Sequence, residues 1–207
     1  MKQASTAIVA SLMLSTAWSQ SASFDADAIG SAPAGWICGV TGVGKPVWKV
    51  EAATDVSSKP HVLVQSGSGN FPWCVKNGAS VLDGFVEVKF KPLAGREDQA
   101  GGVVWRWKDG DNYYVARANA LENNVALYYT EHGSRRTLKY VDAPVAANNW
   151  HRLRVEFVGP RIQVRLDGKR YIEVDDAHIG GAGSVGVWTK ADSVTAFDDF
   201  AFGAAGK

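Results

Sequence analysis

Apolar and polar residues alternate with a period of two along most of this chain. In the segment 85–90, three apolar residues fall on one face of an extended backbone, and Glu87 and Lys89 fall on the other. The same alternation runs through 151–157 and 161–166. An α-helix needs an apolar period near 3.6, and no stretch of ten residues shows one. The pattern therefore predicts half-buried antiparallel strands.

Turn-forming residues separate these segments. Asp167 and Gly168 form the clearest turn, because Asp-Gly favours the two-residue connection of a β-hairpin. Short strands separated by turns about every eight to twelve residues are typical of an all-β sandwich or barrel. The predicted strands are 47–50, 61–65, 85–90, 102–108, 112–118, 125–130, 137–141, 151–157, 161–166, 169–174, 184–189 and 195–203.

Length and charge limit the class of protein. The chain has 207 residues, and 22 Lys and Arg residues balance 21 Asp and Glu residues, which leaves a net charge of +1. A nucleic-acid-binding protein normally carries a basic patch, so we expect no nucleic-acid partner. The content of 46% apolar and 11% aromatic residues excludes a disordered chain and suits one folded domain.

The N-terminus has the order of a secretory signal peptide. Lys2 precedes an apolar stretch at 7–14, and small residues follow at 15–22. The apolar stretch is shorter than the roughly 20 residues that cross a bilayer, so we expect no membrane span. A buried first helix is the alternative. The sequence predicts a signal peptide at 1–22, a domain at 23–207 and a secreted or periplasmic protein.

Cys38 and Cys74 are the only cysteines. In an oxidising compartment, two thiols most simply form one disulfide. Two buried free thiols are the alternative. A metal site is less favoured, because no Cys-x-x-Cys or Cys/His cluster accompanies the two residues.

Residues 101–117 combine a strand with two tryptophans, an acidic turn at 109–112 and an aromatic strand. This segment resembles the central strands of laminin G-like and concanavalin A-like jelly rolls. The segments 24–25, 149–155 and 197–200 resemble the same superfamily. The resemblance implies an all-β fold, a single-domain jelly-roll β-sandwich of two antiparallel sheets. It also implies carbohydrate as a partner, because the superfamily includes lectins, glycan-binding modules and glucanases as well as adhesive domains.

Within this superfamily, the chain is most similar to the bacterial secreted 3-keto-disaccharide hydrolase-like group. Hydrolytic members of that group tend to have Asn-Ser-Gly before the central strand and an acidic residue with Gln in the following one. The corresponding stretches here, 100–103 and 113–118, contain no carboxylate. This chain therefore departs from the hydrolytic members at both positions.

Candidate catalytic residues are scattered. A family 16 glucanase carries Glu-x-Asp-x-x-Glu on one strand, so that two carboxylates share a face about 5 to 5.5 Å apart. No such motif occurs here. Glu87, Glu131 and Glu156 are the candidates for acid or base, and they fall on separate predicted strands.

Aromatic and charged residues cluster near the predicted strand 125–130 and the turn after it. Aromatic faces stack on sugar rings and charged groups orient sugar hydroxyls, so this cluster is a candidate sugar site; a solvated hairpin is the alternative. The cluster contains Tyr128, Tyr129, Glu131, His132, Arg135 and Arg136.

Alternation also sorts the central strand into two faces. It predicts that Trp105 and Trp107 share the core face with Val103. The opposite, exposed sheet face is then the place for a ligand if it is concave. The candidates for that face are Arg106, Arg117, Glu87 and Lys89.

Three aspartates near the two ends of the domain are candidate calcium ligands. Asp25, Asp198 and Asp199 could hold a structural calcium ion between the first and last strands, because that ion prefers oxygen ligands. A surface turn is the alternative. We expect no other cofactor.

The first functional expectation is an exported carbohydrate-binding module without catalysis of its own. A glycoside hydrolase acting on a keto-disaccharide or related glycoside is the alternative. A structural or adhesive envelope domain is the third hypothesis.

Overall fold

The computed structural model describes residues 19–53 and 60–205, and every regular element in these ranges is a β-strand. Residues 1–18 of the predicted signal peptide at 1–22 lie outside the described part, and residues 19–22 form the first strand. The strands, in chain order, are Ser19–Ala22 (β1), Trp36–Lys45 (β2), Trp48–Ala52 (β3), His61–Gln65 (β4), Ser68–Lys76 (β5), Gly84–Ala94 (β6), Ala100–Asp109 (β7), Asn112–Asn119 (β8), Asn124–Glu131 (β9), Ser134–Asp142 (β10), His151–Val158 (β11), Arg161–Leu166 (β12), Lys169–Asp175 (β13), Ser184–Trp188 (β14) and Val194–Ala204 (β15).

The strands form two antiparallel sheets. Sheet A has the order β13-β12-β11-β6-β15-β4-β3, and β1 pairs with β15. Sheet B has the order β10-β9-β8-β7-β14-β5-β2. Neighbours such as β6 and β15 are far apart in sequence, as in a jelly roll. The predicted all-β sandwich is confirmed, and all twelve predicted strands are present.

Alternating apolar residues of both sheets meet in one core. Val86, Val88 and Phe90 of β6 are completely buried, and Trp105 of β7 packs in the same cluster from the other sheet. The Trp105 ring lies 5.9 Å from the ring of Phe157 between centroids. The outward residues of β6 are more exposed, as the alternation predicts.

A β-bulge in β7 overturns the predicted common face of Trp105 and Trp107. The register of β7 with β8 shifts between Trp105 and Asp109, and Arg106 has a φ of 46° there. A bulge adds one residue and reverses the alternation beyond it. Trp107 therefore packs on the outer face of sheet B, with its ring 5.2 Å from that of Trp73.

The same bulge removes Arg106 from the predicted exposed face. Its side chain is 3% exposed and donates hydrogen bonds to the carbonyl oxygens of Gly159 at 2.7 Å and Ile179 at 3.2 Å. It also lies over the ring of Phe157, a core residue. The interpretation of Arg106 as an exposed ligand-binding residue is therefore wrong, because the guanidinium closes the end of the sandwich.

The disulfide is confirmed. Cys38 of β2 and Cys74 of β5 lie directly opposite each other in the antiparallel ladder and are bonded. The bond therefore ties the edge strand of sheet B to its neighbour. Within residues 19–53 and 60–205, no helix has the length and hydropathy needed to cross a membrane.

Candidate functional site

Sheet B is curved so that its outer face is concave. Arg135 of β10 has its guanidinium 4.4 Å from the ring centroid of Phe71 of β5, although four strands lie between β10 and β5. In a flat sheet, five steps of about 4.8 Å would separate these strands by roughly 24 Å, which is more than the two side chains can span. The edges of sheet B must therefore curl toward each other.

A cavity of about 410 Å³ lies between these curled edges. Its walls come from both ends of the strand order, because Val43 belongs to β2 and Arg135 to β10. Phe71 and Lys190 also line it. The structure therefore identifies sheet B as the curved sheet, which alternation alone does not determine.

Six aromatic side chains, which we call the aromatic floor, cover this concave face. Phe71 and Trp188 stack with ring centroids 5.8 Å apart. A Cβ atom on Gly39 would lie 2.6 Å from Cη2 of Trp73, so the glycine leaves the space that the indole occupies. These rings pack in a cluster separate from the core between the sheets. The aromatic floor consists of Phe71, Trp73, Trp107, Tyr113, Tyr128 and Trp188.

Arg135 lies across the aromatic floor. Its guanidinium is 4.3 Å from the ring centroid of Tyr128 and 5.8 Å from that of Trp188. The Nη1 atom is buried and has no hydrogen-bond partner among the described residues. Burial lowers the pKa of Arg135 from its ordinary value, since removal from water disfavours the charged form.

Arg117 is the centre of a hydrogen-bonded network beside the aromatic floor. It is 2% exposed, and its Nη2 donates to Oε2 of Glu122 at 2.6 Å and to the hydroxyl of Tyr128 at 3.1 Å. Its Nη1 donates to Asn124. Burial by itself would lower the pKa of Arg117. The interactions with Tyr128 and Glu122 outweigh burial and raise the pKa above its ordinary value.

Glu122 is held as a carboxylate by this network. Its own burial would raise the pKa, but hydrogen bonds from Asn124 and Tyr140 and the charge of Arg117 outweigh burial and lower it to about 2. The Tyr140 hydroxyl donates to Oε2 of Glu122 at 2.8 Å. The network therefore carries a paired positive and negative charge.

This lowered pKa predicts an acid-sensitive contribution to stability. Because the folded-state pKa of about 2 lies below the ordinary value of 4.5, the contribution is present above about pH 4.5 and is lost as the pH falls toward 2. We expect the urea midpoint of the wild type to fall more steeply between pH 5 and pH 2 than that of Glu122→Gln. Parallel curves for the two proteins would contradict this.

A second charged group lies beside the cavity. Lys190, which lines the cavity, pairs with the completely buried Asp98. Asn119 also donates to Asp98. Asp192 accepts three backbone N–H bonds, from residues 96 to 98, at 2.7 to 3.1 Å. Burial by itself would raise the pKa of Asp192, but these bonds together outweigh burial and lower the pKa.

The three candidate catalytic glutamates do not meet on the concave face. Glu87 and Glu156 lie on the outer face of sheet A, where Arg154 pairs with both, at 3.5 Å and 3.0 Å. Arg152 also pairs with Glu87. Glu131 is exposed at the end of β9, on the other sheet. The structure therefore does not bring Glu131 together with the other two.

The predicted cluster around the β9–β10 turn is divided. Tyr128 and Arg135 lie on the concave face, as described above. Tyr129 points the other way and stacks on His178 at 4.1 Å between centroids. His132 is exposed in the turn and has a φ of 50°. Of this cluster, only Tyr128 and Arg135 contribute to the aromatic floor and its cavity.

The predicted common face of Arg117, Glu87 and Lys89 does not exist, because these residues belong to different sheets. Arg117 is on the concave face of sheet B, whereas Glu87 and Lys89 are on the outer face of sheet A. Alternation gives the parity within each strand, but not which sheet the strand joins.

The three candidate calcium ligands make contacts within the protein. Asp199 pairs with Lys89 at 2.7 Å, and Asp25 accepts a hydrogen bond from the backbone of His61. Oδ1 of Asp198 accepts the N–H of Asp199. In the part of the chain that the structure describes, no group of three or more His, Cys, Asp or Glu residues could hold a metal ion. The calcium ion stays a prediction from the sequence.

A rival cavity of about 420 Å³ lies on the outer face of sheet A. It contains one aromatic platform, Phe85, with the Arg154 guanidinium 4.0 Å from the ring centroid. Unlike Arg135, Arg154 is paired with two glutamates. The concave face of sheet B is the stronger candidate, because its cavity is lined by Phe71 and by an arginine that makes no ion pair among the described residues, with further aromatic rings packed beneath them.

Several residues of this site were not found from the sequence. Phe71 and Trp73 lie in β5, where Gly69 and Pro72 interrupt the alternation and hide the strand. Trp188 belongs to a predicted strand, and its parity against Val187 could have placed it on the face opposite the core. Lys190 and Asp98 have no sequence signal that marks them.

Comparisons with known proteins give structural likenesses only. No protein-family model matches the chain, and no curated protein matches it. The carbohydrate-binding module CBM66 from Bacillus subtilis is similar in structure, with a TM-score of 0.64 and 21% identity over 80% of this chain and 93% of that one. A Bacillus licheniformis β-glucanase has a TM-score of 0.56 and 14% identity over 93% of this chain and 100% of that one.

A protein of unknown function with a galectin-like fold from Bacillus subtilis is also similar, with a TM-score of 0.59 and 12% identity over 83% of this chain and 90% of that one. At these identities, the comparisons establish the fold. The chain has a jelly-roll β-sandwich fold, as these proteins do.

Proposed function

We propose that this protein is an exported carbohydrate-binding module that binds sugar on the concave face of sheet B and has no catalysis of its own. The observation that carries the proposal is the cavity lined by Phe71 and by Arg135, which makes no ion pair among the described residues, with the other rings of the aromatic floor packed behind them. The sequence supports export through its predicted signal peptide, and the disulfide is consistent with an oxidising compartment.

The chemistry of the face suits a sugar. Aromatic rings offer flat apolar surfaces to the C–H faces of a pyranose, while a guanidinium donates to its hydroxyl oxygens. The cavity of about 410 Å³ lies in the usual range for small-molecule sites. Half-buried Phe71 and Arg135 both line it, so a ligand there can contact a ring and a charged donor together.

Two rows of registered residues that cross the middle of the face argue against hydrolysis. A two-carboxylate glycosidase needs both acids on one face, and neither row contains an acid. The first row is Tyr128, Val115, Val104, Gly186 and Val75, and the second is Ala126, Arg117, Gly102, Trp188 and Trp73.

The structural likenesses support a sugar ligand, but they do not show whether the sugar is only bound or also cleaved. One similar protein is a carbohydrate-binding module and another is a β-glucanase. Both names refer to carbohydrate, although sequence identities of 21% and 14% establish only a shared fold. The absence of acids from the two central rows favours binding for this chain.

Phe71→Ala tests the proposed face. Loss of this cavity-lining ring should weaken sugar binding about tenfold, because an aromatic contact is worth on the order of 1 kcal/mol or more. Phe85→Ala is the matched control, since Phe85 is also half-buried under an arginine but lies on sheet A. Binding is measured by proton NMR and calorimetry with disaccharides and their 3-keto derivatives.

The same experiment separates the three functions. Binding that Phe71→Ala weakens and Phe85→Ala leaves unchanged supports the module. New anomeric signals from a cleaved sugar would identify a hydrolase. No binding and no cleavage across the panel would favour a structural or adhesive domain, and a loss only in Phe85→Ala would move the site to sheet A.

A further inference from the structure

Arg135 is held in an unusual state for an arginine. It is packed between Phe71 and Tyr128, at 4.4 and 4.3 Å from the ring centroids, and its Nη1 is buried without a partner. Among the described residues it makes no ion pair. A charged group removed from water without hydrogen bonds costs free energy, so such a group calls for a partner of opposite charge.

Arg154 on sheet A is also stacked on an aromatic ring, but it has ion-pair partners. It stacks on Phe85 at 4.0 Å, and it pairs through Nε with Glu156 at 3.0 Å and through Nη1 with Glu87 at 3.5 Å. The stacking is the same as at Arg135, but the carboxylates are supplied by the protein. On sheet B, no carboxylate of the described residues forms an ion pair with Arg135.

Two acidic residues near the cavity have partners other than Arg135. Asp98 pairs with Lys190, and Asp192 accepts the three backbone N–H bonds of the 96–98 turn. Glu97 also lines the cavity and is exposed to solvent. Arg135 therefore lines the cavity without an ion-pair partner among the described residues, whereas Lys190 in the same wall is paired with Asp98.

We infer that the concave face selects an acidic sugar, and that Arg135 binds its anionic group while Phe71 of the aromatic floor packs against its ring. The planar fork of the guanidinium matches a carboxylate with two parallel hydrogen bonds. A sugar sulfate offers the same charge and acceptor oxygens. This inference rests on the proposed sugar site and adds the class of sugar to it.

Calorimetry with matched pairs of sugars tests the inference. The probes are the trimer of galacturonic acid, a glucuronic-acid-containing disaccharide and a sulfated disaccharide, each measured beside its carboxyl-reduced or desulfated neutral form. The full chain is used. We expect at least one acidic form to bind about tenfold or more tightly than its neutral counterpart, since hydrogen bonds to charged groups are the stronger ones.

Variants at Arg135 assign this preference to the residue. Arg135→Gln should abolish the difference between acidic and neutral forms, and Arg135→Lys should restore part of it, because lysine keeps the charge without the fork. Arg136→Gln is the matched control, as the neighbouring arginine is exposed and removal of its charge should leave the preference intact. Near-ultraviolet circular dichroism of each variant verifies folding.

The outcomes distinguish this inference from the proposed function. If neutral forms bind as tightly as acidic ones, and Arg135→Gln leaves both unchanged, the acidic-sugar inference is wrong while the sugar site stands. If no sugar of either kind binds, the proposed function fails as well. A preference for the sulfate alone supports the inference and identifies the anionic group.

Discussion

Removal of the Cys38–Cys74 disulfide is expected to lower the free energy of unfolding by about 4 kcal/mol. The two cysteines are 36 residues apart in sequence, and the chain-entropy model gives about this cost when a loop of that length is released in the unfolded state. The change is Cys38→Ala with Cys74→Ala, since Cys74 is completely buried. Urea unfolding of the oxidised wild type and the double variant measures it.

The disulfide also bears on the concave face. In the ladder, Gly39 faces Trp73, and each is next to a cysteine in sequence. Loss of the bond should therefore loosen β2 and weaken sugar binding together with stability. A reducing agent should lower the stability of the wild type and leave the double variant unchanged. Equal stability of the two oxidised proteins would contradict the expected role.

Arg117→Ala is expected to lower the free energy of unfolding by about 3 kcal/mol. The guanidinium is buried and serves Glu122, Asn124 and Tyr128. Breaking a buried ion pair costs about 3 to 5 kcal/mol, and the lower end applies because the Glu122 side chain keeps partial contact with water. Denaturant unfolding at neutral pH measures the change.

Arg136→Ala is the control for Arg117→Ala. It removes the same charge from an exposed position on β10, where substitutions usually change stability by about 0.5 kcal/mol or less. Arg117→Ala should also weaken sugar binding, because Tyr128 of the aromatic floor loses the donor to its hydroxyl. If Arg117→Ala were as stable as Arg136→Ala, the network would not be holding the face together.

The hidden strands explain why much of the site escaped the sequence. Strands β2 and β5 contain glycines at positions 39, 42, 44 and 69 and a proline at 72, which interrupt the apolar alternation. In the folded protein, packing explains one of these small residues, because Gly39 leaves the space that the Trp73 ring occupies. The sequence signal of a strand is therefore weakest where the aromatic floor is built.

The bulge at Arg106 is a second feature that the alternation of apolar and polar residues did not predict. Strict alternation places Trp105 and Trp107 on one face, but the positive φ of Arg106 and the register shift separate them. The cause is tertiary, because Arg106 reaches the carbonyl oxygens of Gly159 and Ile179 on other segments. No residue in 102–108 signals this requirement.

The sequence by itself determined twelve of the fifteen described strands and the all-β class, because side-chain parity is a local property of an extended backbone. It also favoured the disulfide, because two thiols in an oxidising compartment most simply pair. The tertiary structure decided which strands share a sheet, which sheet is curved and which residues meet across it. Arg135 and Phe71 are 64 positions apart in the sequence, and only the curl of sheet B places one on the other. Contacts of this kind depend on strand order and curvature, which alternation does not encode.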